Sequence, residues 1–536
     1  AMIYNQESLP WIVQKFGGTS IGKFLDSIAG TIIKSHLEKS QVAIVCSARS
    51  GDTKSKGTTN KLLKAAEEAL TPGSKEYPRI VDEIGQEHIN ASRDLISNPE
   101  ILGELEKQLL QDCAKLKCFL EAAHVSPRSK DIIISVGEKL SCRIVTSVLR
   151  DRGINAEFIN LDHIIEQEFD ADCLDQTFYD YLAQRIAEAV KKCGNRVPVV
   201  TGFFGTVPGS LLTNIGRGYT DLCAALLAAG IGAKELQVWK EVDGIFTADP
   251  RKVFNARLLP IITPEEAAEL TYYGSEVIHP FTMHQVMRLN IPIRIKNVMN
   301  PSGKGTVIFP DISLKNGSLT RLGLSELLHQ NGYHRDMSRR HPTAVTIKNN
   351  IIVLNVHSNR KTMSHGFFAQ IFAALDNYGI VVDLISTSEV HVSMALGAEI
   401  VERDLQRALD DLKKLGEVDV IKNMAILSLV GKQMKNMVGI AGKMFTTLAE
   451  ANVNIEMISQ GSSEINISCV IDEYNSERAL KIRAANFVSM WLFALLAILL
   501  MLTIPAGLFP RDEIVRDMTK DIPIDVLGLW TNSNGY

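Results

Sequence analysis

The sequence of 536 residues lacks a surplus of positive charge and has no closely spaced cysteine pair. Its formal net charge is -4, so there is no excess of cations to neutralise nucleic-acid phosphates, and we expect no nucleic-acid partner. None of the eight cysteines forms a C-x-x-C pair, which argues against a zinc site or a disulfide framework. Scattered thiols, with no signal-peptide pattern at the start of the sequence, favour a cytoplasmic protein.

A complete P-loop is also lacking. Residues 17–23, GGTSIGK, fit the pattern G-x-x-x-x-G-K, but Phe24 stands where a serine or threonine hydroxyl must hold magnesium. This mismatch argues against an ordinary P-loop, and the lysine of interest is instead Lys15, which precedes the glycines.

The composition that remains is typical of a soluble globular protein, with 46% apolar and 22% charged residues. The length favours two to four domains. Strand-like and helix-like segments alternate in the first part of the chain, which predicts an α/β domain with a mostly parallel sheet. The predicted strands include 11–14, 41–46, 131–135, 154–160 and 197–202, and the polar or glycine positions at or just after the ends of four of them are Lys15, Ser47, Glu138 and Gly202. Because ligands of parallel sheets lie at the carboxyl ends of the strands, we expect these four positions to converge.

The segment WIVQKFGGTS, residues 11–20, predicts a strand, a glycine turn and the start of a helix. Gly17 and Gly18 let the backbone turn sharply, and the helix that follows presents unpaired amides and a partial positive charge. With Lys15 entering the turn, the segment suits a polyphosphate. A strand-to-helix turn without a ligand is the alternative.

A second glycine turn, NIGRGYTD at 214–221, precedes a helix of small residues and carries Arg217 and Asp221. These two side chains suit either a binding site or a surface ion pair in which Asp221 caps the helix. The next predicted strand ends at Lys240 and Glu241, with Arg251 beyond a turn.

The part of the chain after a polar linker contains an internal repeat. Residues 366–386 align without a gap with 439–459 at a shift of 73 positions, and 389–396 then match 464–471. Each copy predicts strand, helix, strand, strand, and two such α+β units in one chain favour a side-by-side regulatory module.

Together these motifs resemble aspartate kinase of the fungal type. The resemblance rests on KFGGTS at 15–20, SVGEKLS at 135–141, GRGYTD at 216–221, KEVDGIFTADPRKV at 240–253, YGSEVIHPFT at 273–282 and the tandem repeat, which matches that family's two ACT modules. It covers about residues 11–480. The resemblance implies an amino-acid-kinase fold, transfer of the ATP γ-phosphoryl group to the β-carboxylate of L-aspartate, Mg²⁺ held largely by nucleotide and water, and feedback control by L-threonine.

The chemistry and the resemblance together nominate site residues. Lys15 and the amides of Gly17 and Gly18 suit the phosphates, Arg217 suits the substrate α-carboxylate and Glu138 suits its α-ammonium. The resemblance adds further positions: Ser47, Thr59 and Asp221 in the substrate or phosphate site; Lys240, Glu241, Phe246 and Arg251 near the nucleotide; and Ser364, Phe367, Val382 and Asp383 in the effector site. For Phe367 the alternative is a purely structural place in the core.

The family organisation implies the domain boundaries. They are a catalytic domain at 1–301, a linker at 302–342, ACT-like modules at 343–417 and 418–483, and a divergent tail at 484–536. We expect a homo-oligomer formed through the ACT modules.

The tail departs from the family. Residues 487–509 are 23 uncharged positions in a row, long enough to cross the roughly 30 Å core of a bilayer. A translated intron or a frameshift is the favoured explanation, and a membrane anchor or a buried helix of the second module are the alternatives. A membrane partner is expected only if this segment is genuine.

Two other functions remain open at this point. One is another amino-acid kinase, acting on acetylglutamate or glutamate, against which the tandem repeat and KFGGTS weigh. The other is a catalytically weak or non-catalytic amino-acid sensor of the same fold, against which the presence of Lys15, Glu138, Arg217 and Asp221 weighs.

Overall fold

A computed structural model describes residues 2–51, 57–71, 73–122, 127–170, 174–211, 218–272, 278–309, 342–358, 366–388, 391–397, 399–432, 434, 437–461 and 465–481. The chain forms two compact units. The first comprises 1–245, 258–268 and 277–316, and the second comprises 246–257, 269–276 and 317–536.

The first unit is built on an eight-stranded sheet in the order β3-β4-β2-β1-β5-β7-β8-β6. Its strands are β1 (Trp11–Phe16), β2 (Gln41–Cys46), β3 (Ala156–Ile159), β4 (Val197–Thr201), β5 (Glu235–Lys240), β6 (Ile261–Ile262), β7 (Ile293–Asn297) and β8 (Thr306–Ile308). All neighbouring strands pair in parallel except β7 and β8. The predicted mostly parallel sheet is thus confirmed, and its central strands are apolar because both faces are covered.

The helices described in this part of the chain are α1 (Gly18–Ser27), α2 (Lys34–Leu37), α3 (Thr58–Ala69), α4 (Glu76–Leu95), α5 (Pro99–Ala122), α6 (Pro127–Asp151), α7 (Gln176–Lys191), α8 (Tyr219–Ile231), α9 (Pro264–Tyr272) and α10 (Pro280–Met287). A π-helical turn, Ile28–Ile33, joins α1 to α2. The main core combines β1, β2 and β4 with residues of α1, α3, α4, α5 and α6.

The predicted strand at 131–135 is wrong. Those residues lie inside α6, a helix of 25 residues. Helix α6 is buried on almost every side, against α3 and α5 and against β3 and β4. A short apolar run in such a place has no polar face to reveal its period, so it reads as a buried strand. Glu138 therefore lies in mid-helix and not at the end of a strand.

The predicted linker at 302–342 starts too early, because residues 306–308 form β8 within the sheet. The polar run before β8 is a tight turn. Gly305 has φ +70°, and a Cβ there would lie 2.0 Å from the carbonyl oxygen of Ile295. Small polar residues that close a turn and those of a linker look alike in sequence. The rest of the predicted linker, from residue 310, lies outside the described residues.

The second unit carries a six-stranded antiparallel sheet in the order β10-β11-β9-β12-β14-β13. Its strands are β9 (Ala344–Ser358), β10 (Val382–Thr387), β11 (His391–Gly397), β12 (Gly416–Val430), β13 (Met457–Ser459) and β14 (Asn466–Asp472). The helices are α11 (Phe367–Asp376), α12 (Glu402–Leu412) and α13 (Ile440–Glu450), followed by a 3-10 turn at Glu473–Asn475. The strand, helix, strand, strand order predicted for each repeat is confirmed.

The two repeats share this sheet because their long first strands, β9 and β12, pair along most of their length. Asn350 and Asn423, which lie 73 positions apart, both have positive φ, 55° and 61°. The register of the β9–β12 ladder shifts beside them. The duplication in sequence is thus also a duplication of backbone geometry.

Among the described residues, no helix is long and apolar enough to cross a membrane. The apolar segment 487–509 lies outside the described residues.

Candidate functional site

Lys15 and Asp221 form an ion pair at the carboxyl edge of the parallel sheet. Lys15 is the penultimate residue of β1, and Asp221 lies in the first turn of α8. Lys15 Nζ lies 2.9 Å from Asp221 Oδ1, with the two side chains 12% and 19% exposed. The N-cap residue of α8 is Gly218, which has no side chain to cap the helix. The Asp221 carboxylate pairs with a largely buried ammonium at the end of β1.

The two glycines of the turn after β1 have different structural roles. A Cβ on Gly18 would lie 2.0 Å from the carbonyl oxygen of Ala48, so this glycine allows α1 to touch the loop that follows β2. A Cβ on Gly17 would meet nothing within 4 Å, and this N-cap residue has no side chain to cap α1. The uncapped amides leave this helix start free to bind an anion.

Among the described acidic residues of this site, Glu138 has the pKa that departs furthest from its ordinary value. It is 1% exposed, and Thr220 Oγ1 donates a hydrogen bond to its Oε1 at 3.0 Å. Burial raises the pKa of Glu138 to about 8, against the lowering effects of Thr220, of Tyr219, of the Phe203 backbone and of Lys15. Oε2 meets no donor in hydrogen-bond geometry within the described part of the chain. The Tyr219 side chain and the Phe203 backbone also lie against this carboxylate, and their hydrogen bonding lowers its pKa.

Glu241 completes the edge next to β5. Ser20 Oγ, in the first turn of α1, donates to Glu241 Oε1 at 2.5 Å. We call Lys15, Ser20, Glu138, Thr220, Asp221 and Glu241 the rim cluster. The expected convergence occurs, although Glu138 reaches the cluster from a helix.

Ser47 and Thr59 lie beside this cluster. The Ser47 amide donates to the carbonyl of Phe16 at 3.2 Å, directly after β2. Thr59 is half-buried in the first turn of α3. Gly137 links both segments to α6, because a Cβ there would lie 3.0 Å from Ala48 Cβ and 3.2 Å from Thr58 Cγ2.

The residues nominated for the nucleotide do not all lie in the first unit. Lys240 ends β5 beside Glu241. Phe246 and Arg251 belong to the second unit, on a segment whose Ala248 and Val253 pack into the core of the second repeat. Arg251 pairs there with Asp249, Nη2 to Oδ2, at 3.0 Å. Arg217 lies outside the described residues.

Within the described part of the chain, no group of three or more His, Cys, Asp or Glu side chains is arranged to hold a metal ion. Phosphate oxygens and water are the usual ligands of Mg²⁺ in nucleotide sites. The donors of the rim cluster thus suit a cation that arrives with a nucleotide.

In the first repeat, the nominated effector residue Asp383 forms an ion pair with a lysine of β9. Lys348 Nζ, on β9, donates to Asp383 Oδ1 at 2.8 Å and to Oδ2 at 2.7 Å. Phe367 is buried in the core of this repeat and Val382 packs against it. Ser364 lies outside the described residues.

Comparison with known proteins decides the family. A model described as "Amino acid kinase family" matches residues 10–297, and one described as "ACT domain" matches 427–487. The chain is 56% identical over 484 residues to an aspartokinase of Schizosaccharomyces pombe, which is 90% of this chain and 93% of that protein. It is 52% identical over 494 residues to an aspartokinase of Saccharomyces cerevisiae, covering 89% and 93%.

The chain belongs to the aspartokinase family. It is therefore an enzyme of the kinase class, with an amino-acid-kinase fold followed by ACT modules.

Solved aspartokinases share this architecture. Aspartokinase III of E. coli in complex with aspartate and ADP, described as the R-state, superposes with a TM-score of 0.66 at 25% identity, covering 89% of this chain and 99% of that one. The same enzyme with lysine and aspartate, described as the T-state, gives 0.67 at 25% identity over 89% and 99%. An aspartate kinase of Clostridium acetobutylicum gives 0.69 at 26% identity over 88% and 99%.

The sequence did not point to Ser20, Thr220 or Lys348. Thr220 stands directly before Asp221 in GRGYTD, and that position was the available signal. Lys348 lies 35 residues from Asp383, in a strand whose pattern carries no chemical motif. Only the folded sheet brings these two side chains together.

Proposed function

We propose that this aspartokinase transfers the γ-phosphoryl group of ATP to the β-carboxylate of L-aspartate and produces 4-phospho-L-aspartate. This is the first step of the aspartate-derived pathway to threonine and methionine. The observation that carries the proposal is the rim cluster, in which a buried carboxylate and a buried ammonium lie at one edge of a parallel sheet.

The acceptor carboxylate needs no general base, since its ordinary pKa is about 4 and it is ionised at neutral pH. In the transfer, the P–O bond to ADP breaks and a P–O bond to the carboxylate forms, with no proton to remove. The enzyme must align two anions and offset their repulsion. That requirement fits cations and main-chain amides better than an acid–base pair.

Three rim residues, Lys15, Asp221 and Glu138, then have distinct tasks. Lys15, held by Asp221, offsets phosphate charge, and the amides of Gly17 and Gly18 add donors at the start of α1. One preorganised donor of this kind contributes about 3 kcal/mol to transition-state stabilisation. Glu138 binds the α-ammonium of aspartate.

The remaining assignments follow the family resemblance. Arg217 would bind the α-carboxylate, with Ser47 and Thr59 beside the substrate. Lys240, Glu241, Phe246 and Arg251 would serve the nucleotide. Bound Mg²⁺ would supply further neutralisation of phosphate charge, held by nucleotide and water.

The regulatory part of the proposal is feedback inhibition by L-threonine in the first ACT module, at Ser364, Phe367, Val382 and Asp383. The pairing of the two repeats in one sheet supports a joint regulatory unit. We further propose a homo-oligomer formed through the ACT modules, a cytoplasmic location, and the remaining domain boundaries as given above.

The test is to incubate the protein with ATP, Mg²⁺, hydroxylamine and either aspartate or glutamate, because an acyl phosphate is trapped as its hydroxamate. Hydroxamate from aspartate alone is the expected result. Product from glutamate alone would contradict the substrate assignment. No product from either would favour an amino-acid sensor.

A further inference from the structure

Thr220 contacts Glu138 directly through its side chain. Its side chain is buried, and its hydroxyl donates to Glu138 Oε1 at 3.0 Å. It is the residue before Asp221, so one helix turn presents both the partner of Lys15 and the partner of Glu138. The start of α8 therefore orients both charged groups of the rim.

The Thr220 side chain is itself held in place by the end of β4. A Cβ on Gly202 would lie 2.5 Å from Thr220 Cγ2 and 2.7 Å from its Oγ1. The Gly202 amide donates to the carbonyl of Cys46 at 3.1 Å, which fixes this backbone to β2. Thr220 fills the space that the missing Gly202 side chain leaves, and its hydroxyl is directed by that fit.

The other groups that face Glu138 do not replace this bond. Tyr219 and Cys223 approach from α8, Cys142 from the next turn of α6, and Lys15 from β1. Cys142 and Cys223 donate to backbone carbonyls, those of Val200 and Thr201. Tyr219 and the Phe203 backbone also lower the pKa of Glu138 by hydrogen bonding, but Thr220 is the residue whose hydroxyl lies 3.0 Å from Oε1, while Oε2 has no partner among the described residues.

We propose that Thr220 is a positioning residue whose hydroxyl, wedged against Gly202, holds the Glu138 carboxylate in the orientation that receives the α-ammonium of the amino-acid substrate. The inference rests on the proposed role of Glu138. One carboxylate oxygen is fixed by Thr220, which leaves Oε2 for the ligand.

The test compares Thr220→Val, which keeps the shape and removes the hydroxyl, with Thr220→Ser, which keeps the hydroxyl. Thr146→Val is the matched control, because Thr146 is a buried threonine of α6 that donates to the carbonyl of Cys142 at 2.7 Å and does not contact Glu138. For Thr220→Val we expect the KM for aspartate at pH 7 to rise roughly tenfold or more, the effect of losing a hydrogen bond to a charged group. The kcat should change little, and both other variants should resemble the wild type.

If Thr220 had only a structural role, replacing it would not change the pKa of Glu138. The infrared band of a protonated carboxyl, assigned by its loss in Glu138→Gln, should persist to a higher pH in Thr220→Val than in the wild type. The reason is that the hydroxyl stabilises the ionised carboxylate. Thermal melts of each variant verify folding, and Gly202→Ala, which displaces the Thr220 side chain, should reproduce the shift.

Different results would refute the proposed function and the proposed role of Thr220. Absence of aspartyl hydroxamate with the wild type would refute the proposed function, while the infrared titration would still decide whether Thr220 acts on Glu138. An active wild type together with a Thr220→Val variant of unchanged KM and unchanged titration would overturn the role of Thr220.

Discussion

Glu138 is proposed to bind the substrate ammonium and Asp383 is placed in the proposed threonine site, and the structure surrounds these two carboxylates in opposite ways. Glu138, in the first unit, is fully buried and accepts a hydrogen bond from the neutral hydroxyl of Thr220. Asp383, in the second unit, has both oxygens within 2.8 Å of Lys348 Nζ. The first carboxylate lacks a hydrogen-bonded cation, and the second already has one.

This difference fits the two proposed roles, substrate binding at Glu138 and effector binding at Asp383. Burying Glu138 without a bound cation costs free energy that a substrate ammonium can offset on binding. At Asp383 an incoming ammonium must displace or share with Lys348, so binding there changes a contact within the protein. A ligand that breaks an internal contact can shift a conformational equilibrium.

The largest expected effect is at the rim, from Lys15→Ala. Removing this ammonium should lower kcat by about 10³-fold, the scale of losing one preorganised donor, with the fold retained. The hydroxamate assay measures the rate, and circular dichroism checks the fold. Lys23→Ala is the control, because Lys23 is the lysine of the incomplete P-loop pattern; a larger loss in that variant than in Lys15→Ala would reverse the assignment.

Glu138→Gln should raise the KM for aspartate by roughly 10²-fold, since the charge-assisted bond to the substrate ammonium is lost. In the wild type this KM should rise as the pH falls below about 8. A substrate ammonium needs the ionised carboxylate, which becomes scarcer by about tenfold per pH unit. The variant should lack this dependence. A wild-type KM that is flat between pH 6 and 8 would contradict the prediction.

Asp383→Asn should weaken inhibition by threonine, raising the half-inhibitory concentration by about tenfold or more, while leaving uninhibited turnover near normal. The reason is that the amide cannot pair with an ammonium as a carboxylate does. Titration of the enzyme with threonine measures the effect. Glu456→Gln, at the aligned position of the second repeat, is the control, and equal effects of the two variants would remove the distinction between the repeats.

Glu138→Gln should also stabilise the protein in a pH-dependent way. Between the ordinary value of 4.5 and the folded pKa of about 8, the folded state holds a proton that the unfolded chain has released. Wild-type stability therefore falls as the pH rises through that window. We expect the Tm of the variant to exceed that of the wild type by at least about 2 °C more at pH 8 than at pH 5. An equal difference at both pH values would argue against a raised pKa.

The smallest expected effect is from Lys348→Met. The Lys348–Asp383 pair is partly exposed, with side chains 30% and 18% accessible, and such pairs contribute about 0.2–1 kcal/mol. Removing the competing ammonium should therefore lower the half-inhibitory threonine concentration by roughly two- to fivefold. Weaker inhibition in this variant would mean that Lys348 itself binds the effector.

The sequence predicted most of the structural features that are determined by neighbouring residues in the chain. The strand before Lys15, the glycine turn, the helix at Asp221 and the repeat at a shift of 73 all follow from short-range periodicity and turn residues. The parallel sheet then follows from the alternation of elements, and with it the expectation that polar strand ends converge.

The features that were missed depend on tertiary packing. Helix α6 has no polar face because other elements cover it, so its apolar run was mistaken for a strand. Thr220 acquires its role only through the gap at Gly202, which lies on another strand. Among the described residues Asp221 pairs with Lys15, which lies on β1, more than 200 positions earlier in the sequence.

The shared sheet of the second unit also bears on how the repeats unfold. The paired first strands form the middle of one continuous ladder, so separating the repeats would strip the hydrogen bonds from two central strands at once. Neither half is expected to melt or survive proteolysis alone, and both should be lost in a single cooperative transition.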